Sequence, residues 1–318
     1  MKNIFITVSL LAIFMVCSAW GFYAHMRINH LAVFTLPPGI NQFYKKHIKY
    51  ISDHSVDPDK RRYADTAEAA RHYLDVELYE PHIDSIPFKW NDALKKYGWA
   101  KLNQNGILPW QIEKSYYKLV NAFKERDSLK ILIYSAYLGH YIADAHVPLH
   151  TTQNHNGQLS NQLGIHAFWE SRLPELFAKK YNYVVGSARY IENPLKEGWK
   201  IVKNSHKMVD TVLGFEAKLS ASFPAYRKYS YSKRNNQVVR QHSLAFSKAY
   251  HDGMENMVER QMRSAIFYIG SYWYTAWIDA GQPILKNMTT SRNIKTTEKE
   301  LKEIEKAYRK GGTISREP

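Results

Sequence analysis

The sequence predicts an all-α protein built around a single helical domain. Glycine and proline are scarce, at 15 and 12 of 318 residues, and no regular series of short alternating strands appears, which favours helices over sheet. A hydrophobic fraction of 45%, with 23 tyrosines and 8 tryptophans, is typical of a well-packed core and excludes a disordered chain. Residues 20–283 contain no linker and no internal repeat, so we expect them to form one domain.

The chain opens with the three-part pattern of a secretory signal. Lys2 precedes an apolar run over residues 4–17, and the small residue Ala19 lies where a signal peptidase cleaves. The run is short for a membrane span. We therefore expect residues 1–19 to be removed, leaving Trp20 as the N-terminus of an exported protein, either periplasmic or secreted.

The only cysteine, Cys17, lies within this signal. A lipoprotein signal that acts through Cys17 is the alternative, which the bulky Val16 before it disfavours. Once the signal is removed the protein has no cysteine, so disulfides are excluded, and core packing or bound metal must stabilise it. Any metal ligands must then be histidine, carboxylate or backbone groups.

Apolar residues at helical spacing predict the helices of the first half of the chain. Pro37 and Pro38 separate the first two, because proline ends a helix or begins one. The third is short and rich in alanine, and the fourth is an isolated short helix in an irregular stretch. These predicted helices cover residues 22–33, 38–51, 64–74 and 90–97. Residues 53–62 and the rest of 79–109 are polar or contain proline and glycine, which predicts loops.

The second half of the chain is more strongly helical in its pattern. Pro148 ends one predicted helix, and Arg263 in the last one favours a buried core helix over a membrane span. The predicted helices cover residues 110–124, 128–145, 166–180, 191–219 and 238–280. A polar loop at 151–164 and a basic, tyrosine-rich loop at 220–237 connect them. The charged tail, residues 284–318, is expected to be weakly helical and mobile.

Metal-capable side chains cluster in and after the helix at 128–145. His140 and Asp144 are four residues apart, as are His166 and Glu170, and this spacing places each pair on one helix face. Residues 131–138 are apolar almost all round, so the helix should be buried. Buried imidazoles and carboxylates are costly unless they are paired or bind a metal. Together with His150, these residues therefore indicate a metal site with nitrogen and oxygen ligands, and a buried hydrogen-bonded network is the alternative.

These residues and the segment Trp20-Gly-Phe-Tyr-Ala-His25 resemble the zinc-dependent phospholipase C / S1–P1 nuclease superfamily. The motifs His-x3-Asp-x5-His and His-x3-Glu follow in the family's order, and the resemblance covers most of residues 20–180. It implies an all-helical domain of the phospholipase C / P1 nuclease type around three zinc ions (Zn2+). It also implies a metal-bridging hydroxide that attacks the phosphorus of a phosphodiester in line.

The resemblance implies a ligand set for each zinc ion. The α-amino group and carbonyl oxygen of Trp20, with His25, would hold the first. Asp144 would bridge that ion to a second, which His72, His140 and an upstream aspartate complete. The third would take the three ligands that remain: His150, His166 and Glu170.

The upstream aspartate has three candidates. Asp57 is preferred because it lies fifteen residues before His72, close to the separation in the family, and Asp59 and Asp65 are the alternatives. Asp57-Pro-Asp59 is also compatible with a plain helix-capping turn. We expect Asp57 and Asp144, which would hold the metal pair, to be the catalytic carboxylates.

The substrate is the part that the sequence leaves open. The short Trp20–His25 spacing resembles the nucleases, whereas Glu170 and the short His150–His166 interval resemble the phospholipases. The formal net charge of +15 favours polyanions and anionic membranes alike. We therefore expect either a phospholipid or a single-stranded nucleic acid as substrate, transient contact with an anionic membrane surface, and no obligate protein partner.

Three hypotheses follow for the function. The first is a phospholipase C-like hydrolase that releases the phosphorylated headgroup of a glycerophospholipid. The second is a nuclease for single-stranded nucleic acid, with Tyr73 as a stacking platform. The third is a non-catalytic exported zinc-binding protein. Two further histidines are expected outside the ligand set: His146 behind the site or packed in the core, and His155 solvated in the loop at 151–164.

Overall fold

The computed structural model describes residues 21–234, 237–286 and 294–311, and the all-α prediction is confirmed. Helices make up nearly all of the regular structure in these residues, with a single two-stranded antiparallel sheet. The predicted signal and Trp20 lie outside the described residues.

The described residues of the first half form eight α-helices, some of them a single turn. Their bounds are α1 Gly21–Ala32, α2 Asn41–Lys46, α3 Ile48–Asp53, α4 Asp57–Arg61, α5 Val76–Tyr79, α6 Trp90–Asn105, α7 Leu108–Lys124 and α8 Ser128–Ala145. Short 3-10 turns lie between them at Val33–Thr35, His54–Val56, Ala69–Arg71 and Ile83–Ser85.

Within its described residues, the second half adds eight more α-helices and the hairpin. The helices are α9 Ile165–Ala167, α10 Leu173–Phe177, α11 Pro194–His206, α12 Val209–Ser222, α13 Ala225–Lys228, α14 Leu244–Gly253, α15 Met257–Asp279 and α16 Ile294–Lys310. A π-helical turn, Phe168–Arg172, joins α9 to α10, and 3-10 turns lie at Pro148–Thr151 and Ala178–Lys180. Strands β1 Tyr229–Arg234 and β2 Gln237–His242 pair antiparallel.

Helix α8 lies at the centre of the core, where it contacts α7, α15 and α1. Its N-terminus is capped by Asp127, whose carboxylate accepts hydrogen bonds from the backbone N–H groups of Leu129 and Lys130. Its middle is fixed at Ser135: the hydroxyl group lies 2.7 Å from the Tyr44 hydroxyl, and the carbonyl oxygen accepts the indole N–H of Trp273 at 3.0 Å. These bonds fix the rotation of α8 about its axis, and therefore the direction in which its polar side chains point.

A close contact fixes α1 against α8. A Cβ atom at Gly139 would lie only 2.0 Å from the Asn29 side-chain oxygen, so glycine is required at this crossing. Asn29 is fully buried and donates its side-chain N–H to the His25 carbonyl oxygen at 3.0 Å. The two helices therefore bring His25 and His140 together, with their rings stacked at 4.1 Å.

Several predicted elements differ from the structure. The predicted loop at 53–62 contains α4, which Pro58 favours at the first helical turn. The predicted helix at 64–74 is mostly turns with one 3-10 segment. The helix predicted at 90–97 continues to Asn105 across a break at Gly98, whose φ is +74°.

The long helices predicted for the second half are each divided into shorter elements in the structure. The predicted helix at 191–219 is two helices, α11 and α12. The loop predicted at 220–237 contains α13 and β1, and the helix predicted at 238–280 begins with β2 before α14 and α15. Tyrosines alternate with serines in β1, whereas the two valines of β2 are adjacent. This strand pattern is too short to separate from a helical one by periodicity alone.

The tail, which the sequence predicts to be weakly helical and mobile, contains the regular helix α16. This helix packs on α4. The Lys60 ammonium group lies 2.9 Å from the Glu305 carboxylate, and the Tyr308 ring lies 5.8 Å from Phe22 and 5.2 Å from Tyr63. Within the described part of the chain, none of the helices combines the length and the apolar character needed to cross a bilayer.

Candidate metal centre

Three groups of histidine and carboxylate side chains meet at the C-terminal half of α8. In each group the nitrogen and oxygen atoms that face one another all lie within 4.8 Å. The first group is His25, His140 and Asp144; the second is Asp59, His72 and His140; the third is His150, His166 and Glu170. The side chains come from α1, α4, the turn after Ala69–Arg71, α8, the turn after α8 and the α9 region, so the fold assembles them from distant parts of the sequence.

Asp144 lies between the first two groups. Its Oδ1 atom is 3.4 Å from His25 Nε2, whereas its Oδ2 atom is 2.9 Å from His72 Nδ1 and 3.2 Å from His140 Nε2. The carboxylate is only 1% exposed. One buried side chain therefore presents an oxygen to each of two neighbouring groups, which is the arrangement that a bridging ligand needs.

The structure corrects the choice of upstream aspartate. Asp59, not Asp57, lies beside His72 and His140, with its Oδ1 atom 3.6 Å from a ring nitrogen of each. Asp57 turns away and binds His54 Nδ1 at 2.6 Å. The two aspartates are two positions apart on α4, so they point to different sides of the helix, and Asp59 is the one that lies beside His140 of α8.

Asp65, the other alternative, is excluded by position. Its side chain is 43% exposed and forms an ion pair with Arg71 at 3.4 Å. The geometry therefore favours Asp59 over the predicted Asp57, because the distance along the sequence does not say which face of a short helix turns toward His72 and His140.

The third group is more compact. His166 Nε2 lies 2.8 Å from Glu170 Oε2 and 2.9 Å from His150 Nε2, and His150 Nε2 lies 3.3 Å from the same Glu170 oxygen. His166 and Glu170 are four residues apart, but Glu170 is part of the π-helical turn. Such turns are rare and are frequent at functional sites, and this one lies where Glu170 must meet both histidines.

Backbone carbonyls orient two of the histidines. His140 donates from Nδ1 to the Ser55 carbonyl oxygen at 2.8 Å, and His150 donates from Nδ1 to the His72 carbonyl oxygen at 2.7 Å. A neutral imidazole with its proton on Nδ1 has a lone pair on Nε2. In both histidines Nε2 is the atom that faces the groups.

A third orienting residue is Glu68, which the sequence analysis missed. Its carboxylate is fully buried and lies 3.5 Å from His72 Nε2, so that Nδ1 of His72 is the nitrogen that faces Asp144. The signal was present in the sequence, since Glu68 precedes His72 by four residues. Outer partners of this kind are a general feature of metal-binding histidines.

The residues present fit zinc. Lone pairs of His140 and His150 converge on carboxylate oxygens and on other ring nitrogens at 2.9–3.3 Å. Such short approaches between acceptor atoms are repulsive unless a proton or a cation lies among them. Imidazole nitrogen with carboxylate oxygen is a donor set that zinc accepts readily.

The electrostatics of the site favour a cation. Burial raises the pKa of Asp144 and Glu170, but the adjacent histidines outweigh it and hold both pKa values well below the usual range. Burial lowers the pKa of His25, yet the hydrogen bond to Glu170 and the charge of Asp144 raise it to about 9. The carboxylates thus remain ionised and impose a negative potential on the surrounding nitrogens.

Three other predicted residues lie outside the groups. His146 is packed in the core, bonded through Nδ1 to the Ile142 carbonyl oxygen and through Nε2 to Ser264. His155 is half-buried rather than fully solvated, and its ring lies 6.1 Å from that of His166. Tyr73 is 7% exposed and donates to the Gln104 carbonyl oxygen, so its ring is not available for stacking on a base.

Residues 24–233 match the family model described as zinc dependent phospholipase C. This range is more than half of the chain and contains all the members of the three groups. A search of curated proteins found no match.

Proposed function

Because the chain belongs to the zinc-dependent phospholipase C family, we propose that it is an exported hydrolase that cleaves the headgroup phosphodiester of a glycerophospholipid. Family membership and the three groups of ligand-type side chains together support a zinc hydrolase. The observation that carries the proposal is the position of Asp144, whose two oxygens face two different groups.

The proposed metal ligands are those of the three groups, with the α-amino group and carbonyl oxygen of Trp20 completing the first. When bound, zinc acts as a Lewis acid and lowers the pKa of water to near neutrality. Asp144 connects the first two groups, since one of its oxygens faces each of them, and Asp59 contributes its carboxylate to the second group. His150, His166 and Glu170 would hold a third zinc ion, whose positive charge would suit the phosphate oxygens.

The surface near the third group favours a lipid substrate. The loop at 151–164 joins His150 directly to α9, and it exposes two large apolar side chains, Leu159 at 65% and Leu163 at 71%. Leucine side chains exposed to water on a loop are energetically unfavourable. The same side chains stabilise membrane binding where the loop enters the boundary between lipid headgroups and acyl chains.

The hairpin continues this apolar surface. Gln162 of the loop and Lys228 at the start of the hairpin both bind the Glu216 carboxylate, at 2.6 and 2.9 Å, so the two segments are neighbours. The hairpin exposes Tyr231 and Val238 at more than 70%. The hairpin also carries the exposed basic residues Lys233 and Arg240, and Arg227 of α13 is exposed just before it. Apolar side chains with basic ones around them are typical of surfaces that bind anionic membranes.

The nuclease hypothesis has less support. Its base-stacking platform, Tyr73, is buried, and the basic charge of the chain serves membranes as well as nucleic acids. The test is to assay the zinc-loaded mature protein on phosphatidylcholine vesicles, on vesicles that also contain anionic lipid, and on single-stranded DNA and RNA.

We expect release of the phosphorylated headgroup, faster on anionic vesicles, and no nucleotide release. Asp144→Asn should abolish turnover, and Glu170→Gln should reduce it less, because the first change removes a carboxylate shared by two groups. A double substitution, Leu159→Ser with Leu163→Ser, should slow hydrolysis of vesicles but not of a soluble short-chain lipid. Nucleotide release without lipid turnover contradicts the phospholipase assignment, and zinc binding without either activity contradicts the phosphodiesterase assignment.

A further inference from the structure

Away from the candidate metal centre, a cavity of about 330 Å³ lies between α7, α8 and the tail helix α16. Glu300, Leu301 and Ile304 of α16 form one wall. The remaining walls are unusual for the number of cationic side chains they carry. The cationic residues that line the cavity are Arg61, Arg71, Lys114, Lys118 and Lys130.

This cavity is separate from the metal centre. The buried Glu68 lies between them: Arg61 binds it through Nε at 3.1 Å and Nη2 at 3.3 Å from the cavity side. On the opposite side, Glu68 faces His72 Nε2 at 3.5 Å. A ligand in the cavity would therefore contact none of the residues of the three metal-binding groups.

The positive charge in the cavity is only partly balanced. Glu68 pairs with Arg61 and with Arg71, Asp65 also pairs with Arg71, and Lys130 binds Glu125 at 2.6 Å. One further carboxylate, that of Glu300, lines the α16 wall. Lys114 and Lys118 form no ion pair with any acidic side chain that the structure describes. One turn apart on α7, they face the same cavity.

The environment of Lys118 shows the effect of this imbalance. Partial desolvation and the nearby charges of Lys114, Arg71 and Arg61 lower its pKa. Like charges held together in this way repel one another, and an anion between them relieves the repulsion. Aromatic walls complete the site, with the Lys118 ammonium group 5.8 Å from the Tyr134 ring centre and the Arg61 guanidinium 4.0 Å from that of Tyr137.

We propose that this cavity is a binding site for a phosphate monoester, held by Lys114 and Lys118 and closed on one side by α16. A phosphate monoester carries close to two negative charges at neutral pH, which matches the two unpaired lysines. Lysine is a common phosphate ligand as a point charge, and the volume accommodates the phosphate with a small organic group. The proposal does not depend on the substrate of the metal centre.

The test is lysine footprinting of the zinc-loaded full-length mature protein. The amines are acetylated with and without ligand, and the modified peptides are quantified by mass spectrometry. The probes are inorganic phosphate, phosphocholine as a soluble monoester, and vesicles that contain phosphatidic acid as a lipid-borne monoester. Lys95 and Lys124 serve as reference positions, because both are exposed and neither lines the cavity.

We expect ligand to protect Lys114 and Lys118 and to leave Lys95 and Lys124 reactive. Protection by phosphocholine and phosphate identifies a small-molecule site, and protection by vesicles alone identifies a lipid headgroup as the source. Unchanged reactivity of Lys114 and Lys118 with all three probes at millimolar concentration overturns the proposal, as does equal protection of the reference lysines.

A charge-matched pair of variants tests the site by affinity. Lys114→Gln with Lys118→Gln should weaken binding of the protecting ligand at least about tenfold in calorimetry, because hydrogen bonds to charged groups are the stronger class. Lys95→Gln with Lys124→Gln removes the same net charge and should leave the affinity unchanged. Equal weakening in both variants would show a general charge effect and no built site.

Discussion

Glu68 is the residue whose replacement should be most informative about the support of the metal centre. Its fully buried carboxylate accepts hydrogen bonds from Arg61, Arg71 and Tyr141, and it also faces His72. Glutamine at this position keeps the volume but removes the charge. It also turns an amide N–H group toward donors that previously met an acceptor, so that buried cationic side chains lose their counter-charge.

The size of the effect follows from these contacts. Removing one partner of a buried ion pair costs about 3–5 kcal/mol, because the remaining charge stays buried without compensation. For a chain of this length, 1 kcal/mol corresponds to about 2 °C in Tm, so Glu68→Gln should lower Tm by about 6 °C or more. The loss of the partner of His72 should weaken zinc binding by about 10- to 100-fold.

The measurement is thermal unfolding of the zinc-loaded variant, followed by titration of zinc against a chelator. Glu125→Gln is the matched control, because that side chain is 54% exposed in its pair with Lys130, and exposed pairs contribute about 0–1 kcal/mol. A Glu68→Gln protein with the Tm and the zinc affinity of the control would refute the reasoning that Glu68 supports His72.

Three further predictions concern the ligand set and acid stability. Asp59→Asn should lower zinc content and turnover much more than Asp57→Asn, and metal analysis that shows the opposite order would restore the original choice. One extra residue before Trp20 should leave the protein about one zinc short with most turnover lost, and unchanged metal content would exclude the α-amino ligand. Burial and then the charge of Lys228 lower the pKa of His242 to about 4. In the folded protein His242 therefore stays neutral down to about pH 4, whereas in the unfolded chain it binds a proton below its ordinary pKa of 6.5. The stability that neutral His242 provides is complete above pH 6.5 and is lost as the pH falls from 6.5 to 4. His242→Gln should remove up to about 3 kcal/mol of that acid sensitivity, and unfolding curves for both proteins across this range test it.

Much of the candidate site was predictable because its side chains repeat at helical spacing. His140 with Asp144 and His166 with Glu170 are each four residues apart, and both pairs lie in the structure as their spacing predicts. Local periodicity reports which side chains share a face, and burial follows from the apolar sequence around them.

The errors arose where long-range packing decides. Asp57 and Asp59 are equivalent as carboxylates in the sequence, and only the packing of α4 on its neighbours selects Asp59. Tyr73 follows His72 directly, yet the chain turns its ring inward toward Gly106. The hairpin at 229–242 was missed because two six-residue strands carry too little pattern to compete with the helical signal on either side.

The contact between Gly139 and Asn29 places a lasting constraint on how this protein can be improved. Glycine inside a helix costs about 1 kcal/mol relative to alanine, so α8 carries a permanent deficit at its centre. Alanine would recover that helix propensity but would displace the Asn29 amide from its bond to the His25 carbonyl oxygen, and with it the His25 ring. Gly139 thus lowers the stability of α8 but keeps the spacing of the two imidazoles. Selection for heat resistance should first change positions of α8 other than Gly139 and the proposed ligands His140 and Asp144.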